Sequence, residues 1–184
     1  MAVDGAPVAG GAELAAGLAE RLRALGRPAL HLHAGDFLRP ASVRLERGRH
    51  DSDAWYDDAL DFGALHREVL GPLTAADDRG YLPTLWDPVA DRATRERRRP
   101  APADAVLLVD GVFLLHPALV GGFDVTIHLH LSTAARRRRV PSADAARELP
   151  AYDRYDEEVQ PTRVADLLVR WDDPARPALL DRLR

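Results

Sequence analysis

The sequence predicts an α/β protein built on a doubly wound parallel sheet of five strands, with helices on both faces. Three observations carry that expectation. Short apolar runs alternate along the chain with segments of helical period. The run from Ala105 to Val109 has no polar alternation, as expected of a parallel strand covered on both faces. A Gly-rich turn also separates the first apolar run from the first helical segment, and ligands of such sheets bind at the carboxyl ends of the strands.

The elements follow in order. Met1 to Asp4 reads as the end of a short strand and Gly5 to Gly11 as the turn. From Ala12 to Leu25, the spacing of Leu14, Leu18, Leu22 and Leu25 draws one apolar helix face, stopped by Gly26 and Pro28. Ala29 to Ala34 is a second strand. Asp58 to Leu70 reads as an amphipathic helix through Leu65, Val69 and Leu70, ending before Gly71 and Pro72. Arg92 to Pro102 is basic and ends in proline, the composition of an exposed loop. The strand at 105–109 follows, then a strand from Val125 to Leu131, a helix from Thr133 to Arg139 and a last strand from Ala165 to Val169.

Composition bounds the function. The 184 residues suit one domain over 1–184, with 46% hydrophobic and 29% charged residues. A formal charge of −4 gives no general case for a nucleic-acid partner. There is no cysteine, which excludes disulfides and thiolate metal sites and fits a cytoplasmic protein. No apolar run reaches the roughly 20 residues that span a membrane, and the N-terminus does not read as a signal peptide. All 25 basic residues are arginine. A phosphate clamp that depends on lysine is therefore impossible anywhere in this chain.

Strand, Gly-rich turn and helix are the setting of a phosphate-binding loop, because N–H groups at a helix start bind anions. The expected pattern is Gly, four residues, Gly, Lys and then Ser or Thr. Gly5 and Gly10 keep the glycine spacing, while Gly11 stands in the lysine position and Ala12 in the hydroxyl position. Further blocks are Gly35 to Pro40, Trp55 to Asp58 through Asp61, Leu85-Trp86-Asp87, Ala105 to Leu115 and Ala165 to Pro177. In their order and spacing these resemble the uridine-kinase-like branch of bacterial P-loop nucleoside kinases, from near Ala2 to about Leu180.

That resemblance implies a P-loop NTPase fold and transfer of phosphate from ATP, with Mg²⁺, to the 5′-hydroxyl of a nucleoside. It implies a phosphate loop at Gly5, Gly10, Gly11 and Ala12. The family's acidic base falls at Gly35, with Asp36 adjacent, and a slip of one residue would make Asp36 the base. Asp110 either reaches Mg²⁺ through water or caps a turn. Asp58, Asp61, Trp86 and Asp87 either hold the nucleoside or serve as a helix cap and a packed ring. Arg136, Arg138 and Arg139, with Arg137, either cover phosphate from a shortened lid around 136–158 or face solvent. His31 with His33, and His128 with His130, are pairs on one sheet face. Their strands lie three places apart in the family's order, too far to share a metal, so they read as partly buried sheet histidines.

The sequence thus points to a kinase homologue with little or no phosphotransfer that binds a nucleoside, a nucleotide or another anion. The alternative is an active ATP-dependent kinase of a nucleoside or other small hydroxyl compound, with Asp36 as base. An oligomer is compatible with either reading.

Overall fold

The computed structural model describes residues 1–75 and 79–180. All five expected strands are present: β1 (Ala2–Gly5), β2 (Ala29–His33), β3 (Val106–Gly111), β4 (Thr126–His130) and β5 (Leu167–Arg170). A sixth, β6 (Ala178–Leu180), pairs antiparallel with β5 and makes the sheet mixed. It follows the Pro-rich stretch 173–177 and is only three residues long, so periodicity gives it no signal. The sheet order is β2-β3-β1-β4-β5-β6. The first strand is central, and the turn after it opens at the middle of the sheet's carboxyl edge.

One helix, α1 (Gly11–Ala24), follows that turn. Ala15 and Ala19 are buried beneath it, and these small side chains let its backbone approach the sheet. Leu14, Leu18 and Leu22 pack against the core as expected, but Leu25 is 68% exposed. The helix ends there: Gly26 turns left-handed (φ 79°), and the Arg27 N–H donates back to the Leu22 carbonyl at 2.9 Å.

The helix expected over 58–70 starts only at Phe62, and a separate helix ends at Asp58. That separate helix, α2 (Ser52–Asp58), is capped by Asp51, which accepts from the Ala54 N–H at 2.7 Å. The chain then extends because residues 37–39 pair with 59–61: the Asp61 N–H donates to the Phe37 carbonyl and the Arg39 N–H to the Ala59 carbonyl, both at 2.9 Å. Asp61 next caps a helical stretch over 62–74, which widens into a π turn at His66–Leu70 just before Pro72. The segment 92–102 is exposed as expected but carries two short pairings, 92–93 with 86–87 and 99–100 with 80–81.

Two further helices are α3 (Thr133–Arg139) and α4 (Ser142–Glu158), beside single turns at Ala41–Arg44 and Pro161–Val164. An aromatic cluster ties α4 and α2 to the loop after β3. Phe113 lies 5.0 Å from Tyr56, 5.8 Å from Tyr152 and 5.1 Å from Tyr155, ring centre to ring centre. Such pairs add about 0.5–1.5 kcal/mol each beyond burial. Across α2 and α4, Arg147 stacks on Trp55 at 4.3 Å and Arg154 on Tyr56 at 4.5 Å.

Candidate functional site

Strand register decides which side chains meet. On parallel β2 and β3, His33 is aligned with Asp110, and His31 lies two residues back on the same face. Both imidazoles therefore reach one carboxylate. His31 Nε2 is 2.7 Å from Asp110 Oδ1 and His33 Nδ1 is 2.7 Å from Oδ2. The Asp110 side chain is only 2% exposed, and an ionised carboxylate can only accept, so both rings donate. Burial pushes the Asp110 carboxyl up, but the hydrogen bonds and charges of His33 and then His31 outweigh it and leave it below its ordinary value. The hydrogen bond to Asp110 raises His33 in turn, against the effect of burial.

On the opposite face of the sheet, Asp4 is fully buried and is aligned with His128. Its carboxylate accepts from the Leu114 N–H at 2.9 Å and meets His128 Nδ1 at 2.7 Å. This arrangement fixes the loop after β3 to the end of β1. Strands β2 and β4 are separated by β3 and β1, so the two histidine pairs stay apart as expected. Among the described residues, no group of three or more His, Asp or Glu side chains is arranged to hold a metal ion.

A cleft of about 310 Å³ opens over the carboxyl ends of β1, β2 and β3. One side is made by the Gly-rich turn and the start of α1: Gly5, Ala6, Pro7, Gly11 and Ala12. The other is apolar, with Leu38, Trp55, Leu60, Pro88 and Val112. Its ionisable side chains are His33, Asp36 and Asp110, and no arginine is among the described residues that line it. Burial, helped by the neighbouring Asp110 charge and opposed by His33, raises the Asp36 carboxyl above its ordinary value.

The turn itself is a tight 3₁₀ coil over Pro7–Ala9 with Gly10 left-handed at φ 73°. The Ala9 N–H donates to the Ala6 carbonyl at 2.8 Å and the Gly10 N–H to the Pro7 carbonyl at 3.3 Å. Pro7 has no N–H. Several donors of the loop are thus absent or turned inward. The Glu13 carboxylate also folds over Gly10, within 3.3 Å of where a Cβ would stand there.

The expected site residues divide accordingly. Gly5, Gly11, Ala12, Asp36 and Asp110 meet in the cleft, with Gly10 in the turn beneath it. Asp58 instead pairs with Arg47 at 3.0 Å and lies 3.6 Å from Arg39, and Asp61 is a helix cap. Trp86 donates its indole N–H to Asp91 at 3.1 Å. Asp87 accepts from the Val89 and Ala90 N–H groups, which lower its carboxyl below the ordinary value. None of these four lines the cleft. Arg136 is buried against Asp156, and Arg139 holds the Trp171 and Asp172 carbonyls at 3.1 and 2.7 Å. Arg137 and Arg138 are exposed.

Two solved structures place this architecture. A possible uridine kinase from Bacillus stearothermophilus superposes with a TM-score of 0.76 at 22% identity, over 91% of this chain and 85% of that one. A provisionally assigned fructose transport system kinase from Silicibacter sp. superposes at 0.61 with 21% identity, over 85% and 83%. The chain has a P-loop kinase fold. No protein-family model matches the sequence, and no curated protein does.

Within the P-loop kinase fold, sequence reasoning missed His33 and the apolar wall of Leu38, Trp55, Leu60 and Pro88. The signal for His33 was the alignment of an i, i+2 histidine pair with an acidic residue ending the neighbouring strand. The wall residues come from separate loops and a helix, and no local pattern marks them.

Proposed function

We propose that this is a uridine-kinase-like protein whose cleft holds a small neutral hydroxylated molecule of the nucleoside class, with little or no phosphotransfer from ATP. One observation carries the reading: the cleft presents Asp36 and Asp110 but neither lysine nor arginine among the described residues that line it, and its one titratable base, His33, is hydrogen-bonded to Asp110. A triphosphate carries several negative charges, and an unscreened like charge close by opposes binding. The group that the resemblance implies, ATP with Mg²⁺, does not fit this donor set. Gly11 and Ala12 offer neither ammonium nor hydroxyl, and the loop spends N–H groups on its own carbonyls. Both Asp110 oxygens already accept from imidazoles. The apolar wall with Trp55 suits a flat ring, and the polar end suits hydroxyl groups.

Two of the four arginines of 136–139 support the same reading. Arg136 and Arg139 are committed to partners on α4 and after β5, so covering a phosphate would require breaking those contacts. The test is phosphate transfer from ATP to uridine, cytidine and fructose, followed with a labelled γ-phosphate. We expect turnover several decades below that of a working kinase, since the missing lysine, hydroxyl and acid each remove about 1.5–3 kcal/mol. Rapid turnover that disappears in Asp36→Ala would overturn the reading. It would establish instead an active kinase with Asp36 as base, which the position of Asp36 in the same cleft as Gly11 and Ala12 favours.

A further inference from the structure

We propose that His33 supplies the hydroxyl-binding group that position 35 lacks, its Nε2 accepting a hydrogen bond from a hydroxyl of the molecule in the cleft. This inference rests on the reading of the cleft as a site for a neutral hydroxylated molecule.

Geometry places the ring there. A Cβ built on Gly35 would stand 2.8 Å from both Cδ2 and Nε2 of His33, so one edge of the imidazole fills the space where a side chain of residue 35 would begin. A side chain at 35 and this position of His33 exclude one another. The ring lines the cleft and its side chain is 54% exposed, which leaves the edge away from Asp110 open to a ligand.

Hydrogen bonding then sets the chemistry. Asp110 takes the Nδ1–H of His33, so the neutral ring carries its lone pair on Nε2. His31 holds the other Asp110 oxygen, so the carboxylate is clamped from two sides and His33 is held in orientation. The charged groups that face His33 are Asp36 from the 34–37 turn and Asp110 from β3. The two carboxylates favour the protonated ring, so the bare Nε2 is present once pH exceeds the raised His33 value, and there it takes a hydrogen bond from a donor. An alcohol has a proton to give, whereas a phosphate ester at the same point brings negative charge and no such proton. The site therefore selects the free alcohol over its phosphorylated form.

The test uses the full chain labelled with ¹⁵N. In the neutral imidazole of His33, nitrogen shifts are expected to show a protonated Nδ1 and a bare Nε2. The opposite tautomer overturns the proposal. Uridine at saturation is expected to move the Nε2 resonance, and His33→Ala is expected to weaken uridine binding about three- to tenfold, the worth of one hydrogen bond. Uridine 5′-monophosphate is expected to bind more weakly than uridine to the wild type, with the difference reduced in His33→Ala. Uridine binding that leaves Nε2 unmoved overturns this inference alone. Failure of uridine and of fructose to bind, seen against a folded wild type, overturns both the inference and the reading beneath it. Trp55→Ala serves as the control, since it should weaken binding without altering the His33 tautomer.

Discussion

Gly11→Lys puts back one group at the position where the Gly-rich turn meets α1. For a Cβ at residue 11 the nearest atoms would be the Val3 carbonyl oxygen at 3.7 Å, Val3 Cγ1 at 3.8 Å and Asp110 Cβ at 3.9 Å. These are ordinary contacts, so the Cβ itself is accommodated, and the cleft that Gly11 lines offers room for the rest of the chain. Replacing glycine favours the helix by up to about 0.8 kcal/mol, and a cation at the helix start costs about 0.3–1 kcal/mol. Stability should therefore change by less than about 1 kcal/mol. One charge-assisted hydrogen bond contributes about 1.5–3 kcal/mol, or about ten- to hundredfold in affinity. Asp110 competes for the new ammonium, so the lower end is expected. Calorimetric titration with pyrophosphate at fixed ionic strength, beside a thermal melt of each protein, measures both quantities. The reasoning is refuted if wild type already binds pyrophosphate as tightly as the variant, or if a folded variant gains nothing.

Three further outcomes follow from the same geometry. Asp4→Ala removes the acceptor of two buried donors, Leu114 N–H and His128 Nδ1–H, and should cost about 3 kcal/mol or more in urea unfolding. Asp4→Asn keeps one acceptor and should cost less. Arg154→Ala breaks contacts to Asp53, Asp57 and Glu158 at 2.8–3.1 Å and the stacking on Tyr56, and should cost about 1 kcal/mol, because these groups are partly exposed. The His33–Asp110 pair makes stability depend on pH. His33 is raised in the fold, so its contribution is present below its ordinary value near 6.5 and is lost as pH rises through the raised value. Asp110 is lowered, so its contribution is present above 3.8 and is lost as pH falls through the lowered value. The melting difference between wild type and Asp110→Asn should thus be largest at about pH 5–6 and shrink on both sides. A flat difference would contradict the pairing.

What could be read in the sequence was what depends on local pattern. The unbroken apolar run at 105–109 and the leucine spacing over 14–22 placed a buried strand and a helix face, because burial on one or both sides leaves a period in the chain. The break at 59–61 left no such mark, since it arises from pairing with 37–39, some twenty residues back in the sequence. The same split holds in the site. The substitutions at Gly11 and Ala12 are visible one residue at a time. That Trp86 would be spent on Asp91 while Trp55 lines the cleft depends on where separate loops come to rest. His31 and His33 were legible as a pair on one face. Their shared partner appears only once register aligns His33 with Asp110.

The cleft is proposed to lack the charge to hold phosphate and to keep the surface to hold an alcohol. Calorimetric titration of one wild-type preparation with uridine and with uridine 5′-triphosphate plus Mg²⁺ tests it most directly. A measurable affinity for uridine is expected, with weaker or no binding of the triphosphate. Triphosphate binding that is tighter than uridine and dependent on magnesium would contradict it.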